Sequence, residues 1–276
     1  MKIIVTLAGT GDRFVKAGYS EPKPLIEAND KKLIEYVIDM FDKENDEFIF
    51  ICNKTHATTT NMLAVLKSLV KNNKCYIIDD HKKGPVYTVS RVFEDIDDDE
   101  EVIVTYCDNP YLWHYPDFKK YVKEKKLDGC ILSHTNFHPH RLASTYMAYM
   151  KMEGDKVLEV KEKEPYTDDH WRESASTGTY YFRKGSMVKK YFQECMDKDV
   201  NYNNEYYVTL VYNLLINDGL NVGIYDTHFV TVFGTPGELE NFEAWCTILK
   251  QLQVKNEQDL VDCYRYWRDY HETNIT

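Results

Sequence analysis

The chain has 276 residues, 43% hydrophobic and 29% charged, which fits one large globular domain or one domain with a modest extension. Its formal net charge of −11 argues against general nucleic-acid binding, which needs a basic face, but leaves room for a phosphate pocket built from a few local cations. No apolar run approaches the ~18 residues of a membrane span, and "MKIIVTLAG" is too short for a signal peptide, so a cytoplasmic chain with no membrane partner is expected.

The first half alternates strand and helix signals. "KIIVTL" (2–7) reads as a strand, and "KKLIEYVIDMF" (31–41) has helical spacing at Leu33, Ile34, Val37, Ile38 and Phe41. "EFIFIC" (47–52) is a buried strand. Residues 55–71 read as one helix with Met62, Leu63, Val65, Leu66 and Leu69 on its apolar face. "CYIID" (75–79) is a strand, "PVYTVSRVFEDI" (85–96) a helix with proline in its first turn, and "EVIVTYCD" (101–108) a strand that runs into an aspartate. "FKKYVKEKK" (118–126) is a helix and "LDGCILSH" (127–134) a further strand. Such alternation implies parallel strands with helices on both faces.

Past about residue 140 the pattern changes. "STYMAYMKMEGDKVLEVKEKE" (144–164) predicts a hairpin turning at Glu153-Gly154-Asp155, and "SASTGTYYFRKG" (174–185) another strand ending at a turn. Helices are expected at about 186–196 and 204–217. "NVGIYD" (221–226) and "FVTVFG" (229–234) read as short paired strands, and 237–253 and 257–270 as helices. No repeat, low-complexity tract or linker interrupts the chain.

Seven cysteines (Cys52, Cys75, Cys107, Cys130, Cys195, Cys246 and Cys263) are odd in number and form no C-x-x-C pair, so reduced thiols are expected rather than disulfides or zinc. "SHTNFHPHRL" holds His134, His138 and His140. With no acidic partner set nearby, they read as surface or loop histidines rather than a metal site.

The loop after the first strand carries the chemistry. Gly9-Thr10-Gly11-Asp12-Arg13-Phe14 has Phe14 where a dinucleotide fingerprint needs its third glycine, and Pro22 and Pro24 delay the expected helix to about residue 32. A Walker A loop would need Gly-Lys-Ser/Thr, which is missing. What remains is glycines whose N–H groups can approach an anion, the planar fork of Arg13, and Lys23 stiffened between two prolines. On spacing alone, a phosphate loop and an ordinary turn with incidental cations stand level.

"LAGTGDRF…EPKPLIE" resembles the signature of the sugar-1-phosphate nucleotidylyltransferases, the NDP-sugar pyrophosphorylases: Gly-x-Gly-x-Arg, then Pro-Lys-Pro-Leu before the first long helix. The resemblance implies an α/β fold of the nucleotide-diphospho-sugar transferase type, a Rossmann-like three-layer sandwich with a mixed, mainly parallel central sheet and a helical C-terminus. It covers residues 1–245 as a nucleotidylyltransferase domain and leaves 246–276 as a C-terminal helical extension packed on the same domain.

By that resemblance Leu7, Ala8, Gly9, Thr10 and Gly11 bind the nucleotide, and Gly84 in "HKKGPVYTV" lies against the base. Asp108 in "VTYCDNPYL" holds Mg2+, from the strand-end position typical of ligand sites in open α/β sheets. In "EVKEKEPYTDDHWRESASTGTYYF" (159–182) Glu162 binds sugar hydroxyls, Lys163 the sugar phosphate, and Thr177 and Gly178 line the acceptor site, with Gly178 leaving room beside the sugar. Without that downstream match, "KEKE" would read as a solvated charge run. "VFGTPGELENF" (232–242) matches the family's Gly-Thr-Pro turn into a helix. It departs at Val232, where many members carry a second metal-binding aspartate; Asp226 is nearby in sequence without an assignment.

The implied reaction is attack by a sugar phosphate, or a similar phosphomonoester, on the α-phosphorus of an NTP, with pyrophosphate leaving in line. Catalysis is then positioning and electrostatic stabilisation, without a protein nucleophile. Arg13 would serve the leaving pyrophosphate, Lys23 the α-phosphate or attacking phosphate, Lys163 the attacking phosphate, and Asp108 the Mg2+. The product would supply surface polysaccharide or glycoconjugate synthesis. A CTP-dependent cytidylyltransferase for a phosphorylated amino alcohol or amino acid, and a non-catalytic nucleotide-binding relative, stay open. A glycosyltransferase of related fold would more typically show D-x-D, whereas Asp108 is followed by Asn109-Pro110. The base, the acceptor and a homo-oligomeric state are left open.

Overall fold

In chain order the elements of the computed structural model are β1 (Lys2–Leu7), α1 (Asp12–Lys16), a small ladder β2 (Glu27–Ala28) and β3 (Lys31–Lys32), α2 (Leu33–Ile38), β4 (Glu47–Asn53), α3 (Lys54–Thr59), α4 (Met62–Leu69) and β5 (Asn73–Ile78). There follow α5 (Gly84–Ser90), β6 (Val102–Tyr106), α6 (Tyr115–Glu124), β7 (Gly129–His134), β8 (Ala148–Glu153), β9 (Lys156–Glu162) and β10 (Ser174–Phe182), then α7 (Gly185–Asp197), α8 (Val208–Asn217), β11 (Val222–Asp226) and α9 (Pro236–Gln251). The structure describes residues 1–135, 145–228 and 230–251.

Nine strands form one mixed sheet in the order β5-β4-β1-β6-β10-β7-β11-β9-β8. The stretch β5-β4-β1-β6 is parallel throughout, while β10 runs antiparallel between β6 and β7. Alternation along β1 explains the three layers. Ile3, Val5 and Leu7 join a core with Val37 and Ile38 of α2, Leu66 of α4 and Phe118 of α6. Ile4 points the other way, into a core with Val86 and Val89 of α5, Phe192 of α7 and Tyr212 of α8. A strand covered on both faces reads as an unbroken apolar run, which is why "KIIVTL" and "EFIFIC" were legible.

Several expectations are corrected. The chain turns helical well before residue 32: α1 starts directly after Gly11, whose φ of 68° lets the backbone reverse, and Phe14 plugs the core at 1% exposure. The helix expected over 55–71 is two helices. Thr58, Thr59 and Thr60 donate their hydroxyls to the carbonyls of Lys54, Thr55 and His56, and the helix breaks at Thr60. The helix expected over 85–96 ends at Ser90, whose hydroxyl bonds Tyr87 O. The helix expected from 204 begins at Val208, because Asn203 and Asn204 adopt positive φ in a tight turn closed by Tyr202 and Glu205.

Over its described residues, 230–234, "FVTVFG" is no strand beside β11. Residues 230–234 bond the segment after β6 instead: Thr231 N to Pro110 O at 2.8 Å and Phe233 N to Asp108 O at 2.7 Å. His134 is also corrected: it lies in β7 at 0% exposure, not at the surface. No group of three metal-ligating side chains occurs among the described residues, and His138, His140, Cys263 and the 257–270 helix lie outside them. The six cysteines described are free thiols, and burial pushes those of Cys52, Cys107 and Cys195 up to about 12.

Candidate active site

A cleft of about 510 Å³ opens where β1 and β6 end. Leu7 through Gly11 form one wall. Asn53, at the end of β4 and 1% exposed, braces them from behind, its Nδ2 donating to Gly9 O at 3.1 Å while its Oδ1 caps α3 through His56 N at 2.7 Å. A β-carbon at Gly9 would meet nothing within 4 Å, so the loop presents bare backbone to the cavity.

Charged side chains converge on this wall from distant parts of the chain. Lys23, held in a short 3-10 turn between Pro22 and Pro24, places Nζ 2.5 Å from Asp108 Oδ2. The pair is 13% and 24% exposed, so solvent screens it only in part. Asp108 Oδ1 is buried and has no hydrogen-bond partner among the described residues. Arg13 is exposed on α1 and reaches across to Gly234 O at 3.5 Å. Lys163, just past β9 with φ of 59°, donates to the Tyr207 hydroxyl at 2.7 Å and lies over the Tyr207 and Tyr202 rings.

Ten of the thirteen residues selected from the sequence therefore line one cavity: Leu7, Ala8, Gly9, Thr10, Gly11, Arg13, Lys23, Gly84, Asp108 and Lys163. Glu162, Thr177 and Gly178 do not. Glu162 is 8% exposed and accepts a 2.6 Å bond from Thr209 of α8; burial pushes its carboxyl up to about 7, with Thr209 and Lys163 pulling the other way. Thr177 donates inward to Leu132 O at 3.1 Å. The space that Gly178 was expected to leave open is filled, since a β-carbon there would stand 2.8 Å from Asn109 Nδ2 and 2.9 Å from Tyr106 Cδ2. Gly84 lines the cavity with its backbone, but its lack of a side chain answers to the protein itself: with φ of 84°, a β-carbon would lie 2.7 Å from both Tyr206 N and Tyr206 O.

A family model described as nucleotidyl transferase matches residues 2–269. The chain belongs to that family. Among solved structures, it is similar to a nucleoside-diphosphate-sugar pyrophosphorylase from Vibrio cholerae RC9, with 23% identity over 88% of this chain and 100% of that one and a TM-score of 0.72. It is similar also to the inositol-1-phosphate CTP transferase from T. maritima, at 15% identity over 90% and 96% with a TM-score of 0.67. A UDP-glucose pyrophosphorylase matches at 15% over 89% and 98%, with a TM-score of 0.67. A comparison with curated protein sequences gives no match. These likenesses show the fold; membership in the family makes the chain a nucleotidyltransferase.

This nucleotidyltransferase also brings residues to its cleft that the sequence reading passed over. Lys82 pairs with Asp12 at 2.8 Å, joining the loop before α5 to the start of α1. His81 Nδ1 accepts from Lys83 N at 3.1 Å, so in the neutral ring Nε2 carries the proton, 3.2 Å from Thr88 Oγ1, which itself donates to Gly84 O. Burial first, then Lys83, holds His81 below its usual pKa. Glu205 and Tyr207 arrive through the Asn203–Asn204 turn. Val232 is 8% exposed in the core and offers no carboxylate. The acid that this segment does offer is Glu238, in the first turn of α9. Its signal was present in "TPGE", a capping-box spacing in which Glu238 N donates to Thr235 Oγ1 at 3.2 Å.

Proposed function

We propose that this nucleotidyltransferase moves a nucleoside monophosphate from an NTP to a sugar 1-phosphate or similar phosphomonoester, releasing pyrophosphate with the help of Mg2+. The observation that carries the reading is the gathering of Arg13, Lys23, Lys163 and Asp108 on one cavity that the glycine-loop backbone also lines. Two anions must meet in this reaction and charge builds on the leaving group, so fixed cations and N–H groups are what it requires. The N–H groups of Leu7–Gly11 and the Arg13 fork suit the triphosphate, with Arg13 on the side of the leaving pyrophosphate. Lys23 serves the α-phosphate, and Lys163 the attacking phosphate from the other wall.

Asp108 fits a divalent cation: its Oδ1 is a buried carboxylate oxygen lacking a donor, and a hard oxygen donor suits Mg2+. When bound, Mg2+ would neutralise phosphate charge at that end of the cleft. In its absence Lys23 supplies the positive charge beside Asp108.

Glu162, Thr177 and Gly178 are walled off, so acceptor contacts fall to Lys163, Tyr106, Glu205 and Tyr207, which line the cleft. Glu205 favours a second reading, in which the acceptor is a phosphorylated amino alcohol or amino acid and the carboxylate faces its ammonium. The test is a matrix of four NTPs against sugar 1-phosphates, inositol 1-phosphate and phosphorylated amino alcohols, read by Mg2+-dependent pyrophosphate release. Turnover with a sugar phosphate supports the first reading and turnover confined to amino alcohol phosphates the second. NTP binding with no turnover for any pair refutes both in favour of a non-catalytic relative.

A further inference from the structure

Two carboxylate oxygens beside the cleft are buried and lack a hydrogen-bond partner among the described residues: Asp108 Oδ1 and Glu238 Oε2. One comes from the end of β6, the other from the first turn of α9. The segment between β11 and α9 ties them together. Phe233 N bonds Asp108 O at 2.7 Å, and Glu238 folds back under the next residue, Oε2 lying 3.0 Å from where a β-carbon on Gly234 would stand. Gly234 lines the cleft, and its carbonyl is the one that Arg13 reaches. Lys23 is paired with Asp108, and burial raises the Glu238 carboxyl above its usual range, with Lys23 lowering it and Asp108 raising it further.

The helix start accounts for only part of this. A capping box explains an acid or amide three residues after Thr235, and glutamine serves it as well as glutamate. It uses one side-chain oxygen. It does not account for a second oxygen buried near another carboxylate without a donor, an arrangement that a cation relieves.

We infer that Glu238 supplies the second carboxylate of the divalent-cation site at Asp108. The inference rests on the reading of Asp108 given above and adds a residue that no part of that reading uses. Its test is Mn2+ titration of the full chain without nucleotide, followed by the free-ion EPR signal, together with thermal melting in EDTA and in Mn2+. The wild-type chain binds Mn2+ and melts higher with it. Glu238→Gln keeps the cap but binds Mn2+ at least ~10-fold more weakly, the loss expected when a supporting group of a metal site is removed. In EDTA that variant melts as high as wild type or higher, since one of two like charges is gone. Asp108→Asn also loses Mn2+. If Asp108→Asn loses the ion and Glu238→Gln keeps it, the inference fails and the Asp108 reading stands. If Asp108→Asn keeps wild-type affinity, or the wild-type chain binds no Mn2+ at millimolar concentration, the Asp108 reading fails and the inference with it. A Glu238→Gln chain that melts well below wild type in EDTA overturns it too, because the carboxylate is then a structural charge.

Discussion

Gly84→Ala should unfold this protein more easily without blocking its cleft. Alanine at φ of 84° costs about 1–2 kcal/mol for the left-handed backbone. Its β-carbon would also stand 2.7 Å from Tyr206 N and O, closer than packed atoms allow, so the two backbones must separate. Those two atoms tie the segments together, Tyr206 N donating to Lys83 O at 2.9 Å and Tyr206 O accepting from Val86 N at 3.1 Å. Weakening two hydrogen bonds adds about 0.5–1.5 kcal/mol each, for a total of about 2–5 kcal/mol. At about 2–4 °C per kcal/mol, the melting temperature falls by at least ~4 °C. Differential scanning calorimetry reads this directly, with Gly9→Ala as the comparison. A β-carbon at Gly9 meets nothing within 4 Å, so that variant keeps its stability while losing NTP affinity, since the methyl group enters the cavity. An unchanged melting temperature in Gly84→Ala, or a loss confined to nucleotide binding, would refute the packing argument and return Gly84 to the role of a spacer beside the base.

Other outcomes are expected from the same geometry. Lys23→Ala and Asp108→Ala each lower turnover by at least ~10²-fold, the loss seen when one preorganised charge contact is removed, and near-normal kcat in either clears that residue of its role. Asn53→Ala withdraws the brace behind Gly9 and the cap of α3; it should destabilise by about 1–3 kcal/mol in urea unfolding and raise the KM for NTP, and an unaltered KM counts against the brace. Glu162 has a folded pKa of about 7, raised above its ordinary 4.5, so its protonated form favours folding. Its contribution is present below about pH 4.5 and is lost as pH rises through 7, by about 3 kcal/mol in total. Glu162→Gln, which still accepts from Thr209, should therefore gain stability over wild type from pH 5 to pH 8, and parallel melting curves across that range would exclude a buried acid. His81 has the opposite sense. Its folded pKa lies below 6.5, the unfolded chain binds the extra proton first, and stability is lost as pH falls below about 6.5; His81→Gln should flatten that acid limb, measured by melting between pH 7 and pH 5.

The chain's local pattern was enough to read the central strands and the glycine loop that lines the cleft. "KIIVTL" and "EFIFIC" are apolar on both faces because helices cover both, and that burial is written in the residues themselves. Phe14, Arg13, Pro22-Lys23-Pro24 and Asp108 mark a loop and a strand end by type and spacing, and Arg13, Phe14, Lys23, Pro24 and Asp108 line one cleft. What the sequence could not express is which surfaces meet. "FVTVFG" has strand-forming residues, but Thr231 and Phe233 bond Pro110 and Asp108 beyond β6, which brings Glu238 to that side of the cleft. Gly84 and Gly178 are glycines for neighbours distant in sequence, the Tyr206 backbone and the side chains of Tyr106 and Asn109. Glu162 and Lys163 are adjacent, yet Glu162 ends β9 with its carboxylate bonded inward to Thr209, while Lys163, past the strand with φ of 59°, lines the cavity. Residue type and spacing are local and legible; a close approach between backbones, or the face on which a charge emerges, exists only once the chain has folded.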